Sequence, residues 1–130
     1  MTTQQLIEAY LDAFNRHDAE AMFALLSPEI VHDINEGLSE TGIAAFRAFK
    51  AHMDTCYREQ LRETVIMANG DRGCLDFICD GTYLQADAGL PPAHGQTYSI
   101  AGCAIFHCAA GKIVRIVSYY NLREWIRQVS

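Results

Sequence analysis

A single carboxylate in this 130-residue chain stands where it could move a proton. Asp33 lies in Glu29-Ile30-Val31-His32-Asp33-Ile34-Asn35, an extended stretch rich in β-branched residues. At the surface it would be an ordinary strand-end charge. In an apolar pocket, desolvation would raise its pKa toward working pH and make it a candidate general base. Side chains alternate along a strand, so His32 points away from Asp33, to pack or to face solvent. Asn35 returns to the face of Asp33, where it could bond a substrate or the carboxylate itself. Asn35-Glu36-Gly37 is also ordinary turn sequence.

The other reactive side chains give weaker signals. The cysteines are Cys56, Cys74, Cys79, Cys103 and Cys108, an odd number with no C-x-x-C. They read as small buried thiols in a reducing compartment. No histidine can be assigned to Cys103, which therefore reads as a core thiol rather than a nucleophile. His17, His32, His52, His94 and His107 are scattered without ligand spacing, and no metal site or cofactor is expected. Asn121, directly after Tyr119-Tyr120, suits a helix N-cap as well as a pocket contact.

The elements that must position these residues follow from periodicity. From Thr2 to Phe14, Leu6, Ile7, Tyr10, Leu11 and Phe14 form one helical stripe. Asp18 caps a short helix carrying Met22, Leu25 and Leu26, and Ser27-Pro28 ends it before the Asp33 strand. Thr41 can cap a third helix with Phe46, Phe49, Met53 and Tyr57 on one side. Strands follow: Leu61–Asn69, Cys74–Leu84, Thr97–Cys108 and Ile113–Tyr120, the last two joined at Ala110-Gly111-Lys112. In the second of these, Leu75, Phe77, Cys79 and Tyr83 alternate with Asp76, Asp80 and Thr82, so one face looks inward. A loop with Gly89, Pro91, Pro92 and Gly95 is either a lid or a rigid connection. Asn121–Val129 closes the chain as a short helix.

Early helices and a late, strongly twisted sheet make an α+β domain spanning 1–130. A mixed or antiparallel sheet curling over a helix leaves a conical cavity, a usual ligand site. Phe14, Met53, Tyr57, Phe77, Tyr83 and Ile105 could line it. Half of the residues are hydrophobic and 20% are charged, which fits a globular domain. A net charge of -6 argues against nucleic acid or an anionic membrane as the main partner. No basic leader or membrane-length apolar run is seen, so a cytoplasmic protein is expected. Ala101, Cys103 and Ile105 alternate with Ile100, Ala104 and Phe106, so both faces of a late strand are apolar and a homodimer through the sheet is expected.

With these elements in place, the chain resembles the nuclear-transport-factor-2-like superfamily, which includes ketosteroid isomerases and SnoaL-like polyketide cyclases. That resemblance implies a cystatin-like, ketosteroid isomerase-like α+β barrel. Ala9-Tyr10-Leu11-Asp12-Ala13-Phe14-Asn15 is similar to the isomerases' first helix, which implies that Tyr10 donates to a substrate oxyanion. Val31-His32-Asp33 followed by Gly42-Ile43-Ala44-Ala45-Phe46 is similar to the segment with their base, which implies that role for Asp33. The acid that completes their oxyanion hole would fall on Cys103, a weaker donor. Gly89-Leu90-Pro91-Pro92-Ala93-His94-Gly95-Gln96 and Gly111-Lys112-Ile113 are similar to the SnoaL-like cyclases, whose catalytic aspartate would fall on Asn121.

The implied site is cofactor-independent. Asp33 abstracts a proton next to a carbonyl and Tyr10 stabilises the enolate oxygen, without the full apparatus of a steroid isomerase. Asn35, Phe14, Met53, Tyr57, Tyr83, Cys103, Tyr120 and Asn121 are the candidate contacts to a small apolar molecule. A non-catalytic binding module or an assembly domain on the same fold is the alternative, because this scaffold hosts unrelated chemistries.

Overall fold

The computed structural model describes residues 1–130. Three helices come first in the chain: α1 (Thr3–Asn15), α2 (Ala19–Phe23) and α3 (Ile43–Cys56). Between α2 and α3 lie the strands β1 (Leu26–Ile34) and β2 (Leu38–Thr41), joined through a 3-10 turn at Asn35–Gly37. Four long strands follow, β3 (Tyr57–Asn69), β4 (Arg72–Tyr83), β5 (Thr97–Ala109) and β6 (Lys112–Tyr120), and α4 (Leu122–Val129) ends the chain. They form one mixed, unclosed sheet in the order β2-β1-β6-β5-β4-β3, parallel only at β1–β6.

Local chemistry accounts for the elements. Thr2 and Gln5 close a capping box on α1, and Asp18 caps α2 through the Ala21 amide. Where a helical Leu26 and a strand beginning at Glu29 were expected, β1 already begins at Leu26 and carries Pro28. Its register against β6 shifts between Leu26 and Val31, so the missing N–H of Pro28 costs no ladder bond. The cap of α3 is Gly42 rather than Thr41, which pairs with Val31 in β2. Gly42 turns the chain from strand to helix at φ 100°, a value that only glycine adopts freely.

Helices α1 and α3 cover one face of the sheet, and α4 folds back over its end. Leu6, Ile7, Phe46, Leu75, Phe106 and Ile116 are buried in the larger core. A second cluster gathers around Trp125 of α4, whose ring makes edge contacts with Tyr57, Tyr83 and Tyr98 at centroid distances of 5.8, 4.9 and 5.6 Å. Gln128 holds α4 in place by donating to the Ser99 carbonyl and accepting from its amide. The space between these two clusters is not filled.

Candidate functional site

That space is a cavity of about 370 Å³, and 19 of its 24 lining residues are hydrophobic. A second hollow of about 320 Å³ shares Tyr10, Phe14, His32, Phe49, Met53 and Tyr57 with it, so the two adjoin. The volume suits a small ligand, and few polar groups reach in.

Five expected contacts are cavity residues: Tyr10, Phe14, Met53, Tyr57 and Tyr120. Tyr10 packs edge-on against Phe106 at 5.4 Å, and burial alone pushes its phenol pKa up. It therefore stays a neutral hydroxyl, able to donate. The Tyr57 hydroxyl donates to Asp87 Oδ2 at 2.7 Å.

The other five lie elsewhere. Asp33 was expected to face the cavity, but the parity of β1 is the reverse: Ile30 and His32 are buried inward and Asp33 points to the outer face of the sheet. There Arg115 of β6 donates to its Oδ2 through Nε at 2.6 Å and also through a terminal nitrogen. Hydrogen bonding from Ser39, then Arg115, holds the Asp33 carboxyl below the usual range. Asn35 accepts from the Tyr120 amide at 3.1 Å, which fixes the turn instead of a substrate. Tyr83 is fully buried and donates to the Pro91 carbonyl at 2.7 Å. Cys103 pairs across the strands with Asp76 and Tyr119 on the outer face, and Ile105 lies two residues on with the same parity. Asn121 caps α4 by accepting from the Glu124 amide.

His32 takes the inward position. Its ring sits among Phe46 and Phe49 at 5.1 and 4.7 Å, and burial pushes its pKa down to about 4. Its Nδ1 is buried without a partner. A neutral imidazole on the cavity wall can donate or accept one hydrogen bond.

Glu59 is a second inward polar group. Tyr57, Glu59 and Leu61 share the inner face of β3 by period 2, and Glu59 lines both hollows. Glu59, Gly81 and Tyr98 stand in cross-strand register on β3, β4 and β5. A Cβ at Gly81 would overlap the Tyr98 ring, so the glycine lets that ring lie across β4. The Tyr98 hydroxyl then reaches Glu59 and donates to Oε2 at 2.6 Å. The carboxylate is held on a rigid strand with its second oxygen free of that bond. The sequence carried this signal only if β3 begins at Tyr57; beginning it at Leu61 left Glu59 outside the alternation.

Comparison with known proteins fits this geometry. The family model described as a SnoaL-like domain matches residues 7–116. A candidate polyketide cyclase from Pseudomonas putida has 46% identity and a TM-score of 0.98, covering 100% of this chain and 99% of its own. A second candidate polyketide cyclase, from Xanthomonas campestris, has 47% identity and a TM-score of 0.95, with 98% and 96% covered. An NTF2-like protein from Burkholderia pseudomallei shares the fold at 18% identity, with a TM-score of 0.84 and 100% and 99% covered. A search of curated proteins found no match.

Proposed function

Because the chain belongs to the SnoaL-like domain family, we propose that it is a small-molecule enzyme of the cyclase or isomerase type, moving a proton next to a carbonyl inside this cavity. The observation that carries the reading is an inward carboxylate, Glu59, anchored by Tyr98 on the wall of a mostly apolar cavity. The cavity also presents two neutral groups, Tyr10 and His32. Glu59 takes the base role that the sequence suggested for Asp33, whose oxygens are committed to Arg115 and Ser39.

In this reading the substrate is a mostly apolar carbonyl compound small enough for about 370 Å³. Glu59 removes the α-proton while Tyr10 and His32 donate to the oxygen as negative charge develops on it. The enolate then attacks within the same molecule or is reprotonated at another carbon, and Glu59 returns the proton. The relatives described as candidate polyketide cyclases favour the cyclising outcome. No step requires a cofactor.

The test needs no knowledge of the physiological substrate. Cyclic 1,3-diketones and aryl ketones are incubated with the protein in heavy water, and α-proton exchange is followed by NMR. Exchange above buffer that is lost in Glu59→Gln and kept in Asp33→Asn supports the assignment. The opposite pattern returns the role of base to Asp33. Saturable binding with no exchange in any variant makes the cavity a binding module.

We also propose that the protein is a homodimer through the outer sheet face. Val65, Asp76, Cys103 and Tyr119 form one cross-strand row there, and Val65, Met67 and Tyr119 are 51%, 56% and 51% exposed. Five free thiols suit the reducing cytoplasm. Sedimentation as a monomer at micromolar concentration would remove the dimer.

A further inference from the structure

The mouth of the cavity holds a cluster that this proton-transfer reading does not use. His52 and Cys56 stand four residues apart on α3, and so on one side of the helix. Asp87 comes to them from the loop between β4 and β5. His52 Nε2 lies 2.9 Å from Asp87 Oδ1 and 3.9 Å from Cys56 Sγ. All three ligand atoms are within 4.8 Å of one another.

We propose that His52, Cys56 and Asp87 form a binding site for a divalent ion of the zinc class, with the open coordination position on the cavity side. The donor set of imidazole nitrogen, thiolate and carboxylate is one that zinc accepts. Tetrahedral coordination at ordinary bond lengths separates ligand atoms by about 3.3–3.6 Å. Closing from 3.9 Å and opening from 2.9 Å therefore needs shifts of a few tenths of an ångström at these two pairs. His52 and Asp87 both line the cavity, which orients the vacant position.

The surroundings are those of a built site. Tyr57 donates to the other Asp87 oxygen at 2.7 Å, the outer-shell bond that fixes a ligating carboxylate. The Asp87 amide donates to the Tyr83 hydroxyl at 2.9 Å, and the Leu84 amide to the Cys56 carbonyl at 2.8 Å. These bonds tie the loop to the end of α3 before any ion arrives. On binding, Cys56 releases its thiol proton to solvent and its sulfur lone pair goes to the metal; nothing is oxidised.

Cobalt(II) serves as the probe. Titrated into reduced protein, it should give a saturable thiolate-to-metal charge-transfer band in the near ultraviolet, which zinc then displaces. Cys56→Ser should abolish the band, whereas Cys103→Ser keeps it. His52→Gln and Asp87→Asn, at positions 55% and 19% exposed and with folding checked by circular dichroism, should each weaken binding at least about tenfold. Tyr57→Phe should weaken it by roughly 10–100-fold. If Cys56→Ser does not fold, the shift of the band and of proton release to at least about tenfold higher cobalt in the other two ligand variants decides the matter. The absence of a saturable band, or a band that titrates with unchanged affinity in His52→Gln and Asp87→Asn, overturns the proposal. The readout is binding without turnover, so it stands apart from the assignment of Glu59.

Discussion

The two faces of β1 put adjacent residues to opposite uses. On the outer face, Asp33 is held by two nitrogens of Arg115 and by Ser39, so its charge is matched and its lone pairs are occupied. On the inner face, His32 is wedged between two phenylalanines with a buried nitrogen that nothing satisfies. A committed carboxylate stabilises the fold but has little left to offer a substrate. An unsatisfied buried nitrogen beside a cavity costs stability, a cost that folds usually carry at functional sites. Glu59 stands between these extremes, with one oxygen anchored by Tyr98 and the carboxylate still on the cavity wall.

The sharpest way to break this contrast is at Glu59. Glu59→Gln keeps an oxygen that can accept from Tyr98, so the fold should survive with little change in melting temperature. Turnover in the exchange assay should fall by about 10²–10⁴-fold, the contribution of a positioned base. Near-normal turnover in this variant would remove Glu59 from the chemistry.

Tyr10→Phe asks whether the cavity supplies a donor as well as a base. The phenol is neutral at all working pH values, because burial pushes its pKa up. Removing the hydroxyl should lower turnover by about 10²–10³-fold, with ligand affinity less affected. A change in KM alone would make Tyr10 a binding residue.

Much of this arrangement was legible in the sequence. The helical stripe through Tyr10 and Phe14, the inward alternation of Leu75, Phe77 and Cys79, and the order of helices before strands all emerge in the structure. The alternation also separated His32 from Asp33 correctly. Period 2 says that neighbours lie on opposite faces but not which face is covered; that depends on where α1 and α3 pack. The Asp33–Arg115 pair joins residues 82 apart in sequence, beyond any local pattern. Asp87 sits in an aperiodic loop, and only the folded chain brings it to His52 and Cys56.

The inner half of the comparison has a pH signature. The folded pKa of His32 is lowered from 6.5 to about 4, so the unfolded chain binds the proton more readily. Its neutral form is accommodated fully above pH 6.5, and stability is lost as pH falls from there toward 4. By pH 4.5 this one group should cost about 2–3 kcal/mol. His32→Leu should therefore lose less stability than the parent between pH 7 and 4.5, measured as urea midpoints. Parallel losses in the two proteins would mean that the imidazole is not the acid-sensitive group.

The outer half gives the smallest expected effect and the cleanest control. Asp33 is also depressed, but because its charged form is bonded rather than because a charge is excluded, so its contribution is present above the unfolded pKa and fades as acid protonates it. Its side chain is 22% exposed and that of Arg115 is 44% exposed, so solvent screens the pair. Asp33→Asn should cost about 1 kcal/mol at pH 7, and the difference from the parent should narrow as pH drops through the carboxylate range. Exchange activity should stay within about twofold, because the change is made on the face away from the cavity. A 100-fold loss of activity with stability unchanged would show that Asp33 reaches the substrate after all, and that β1 presents its other face when the protein works.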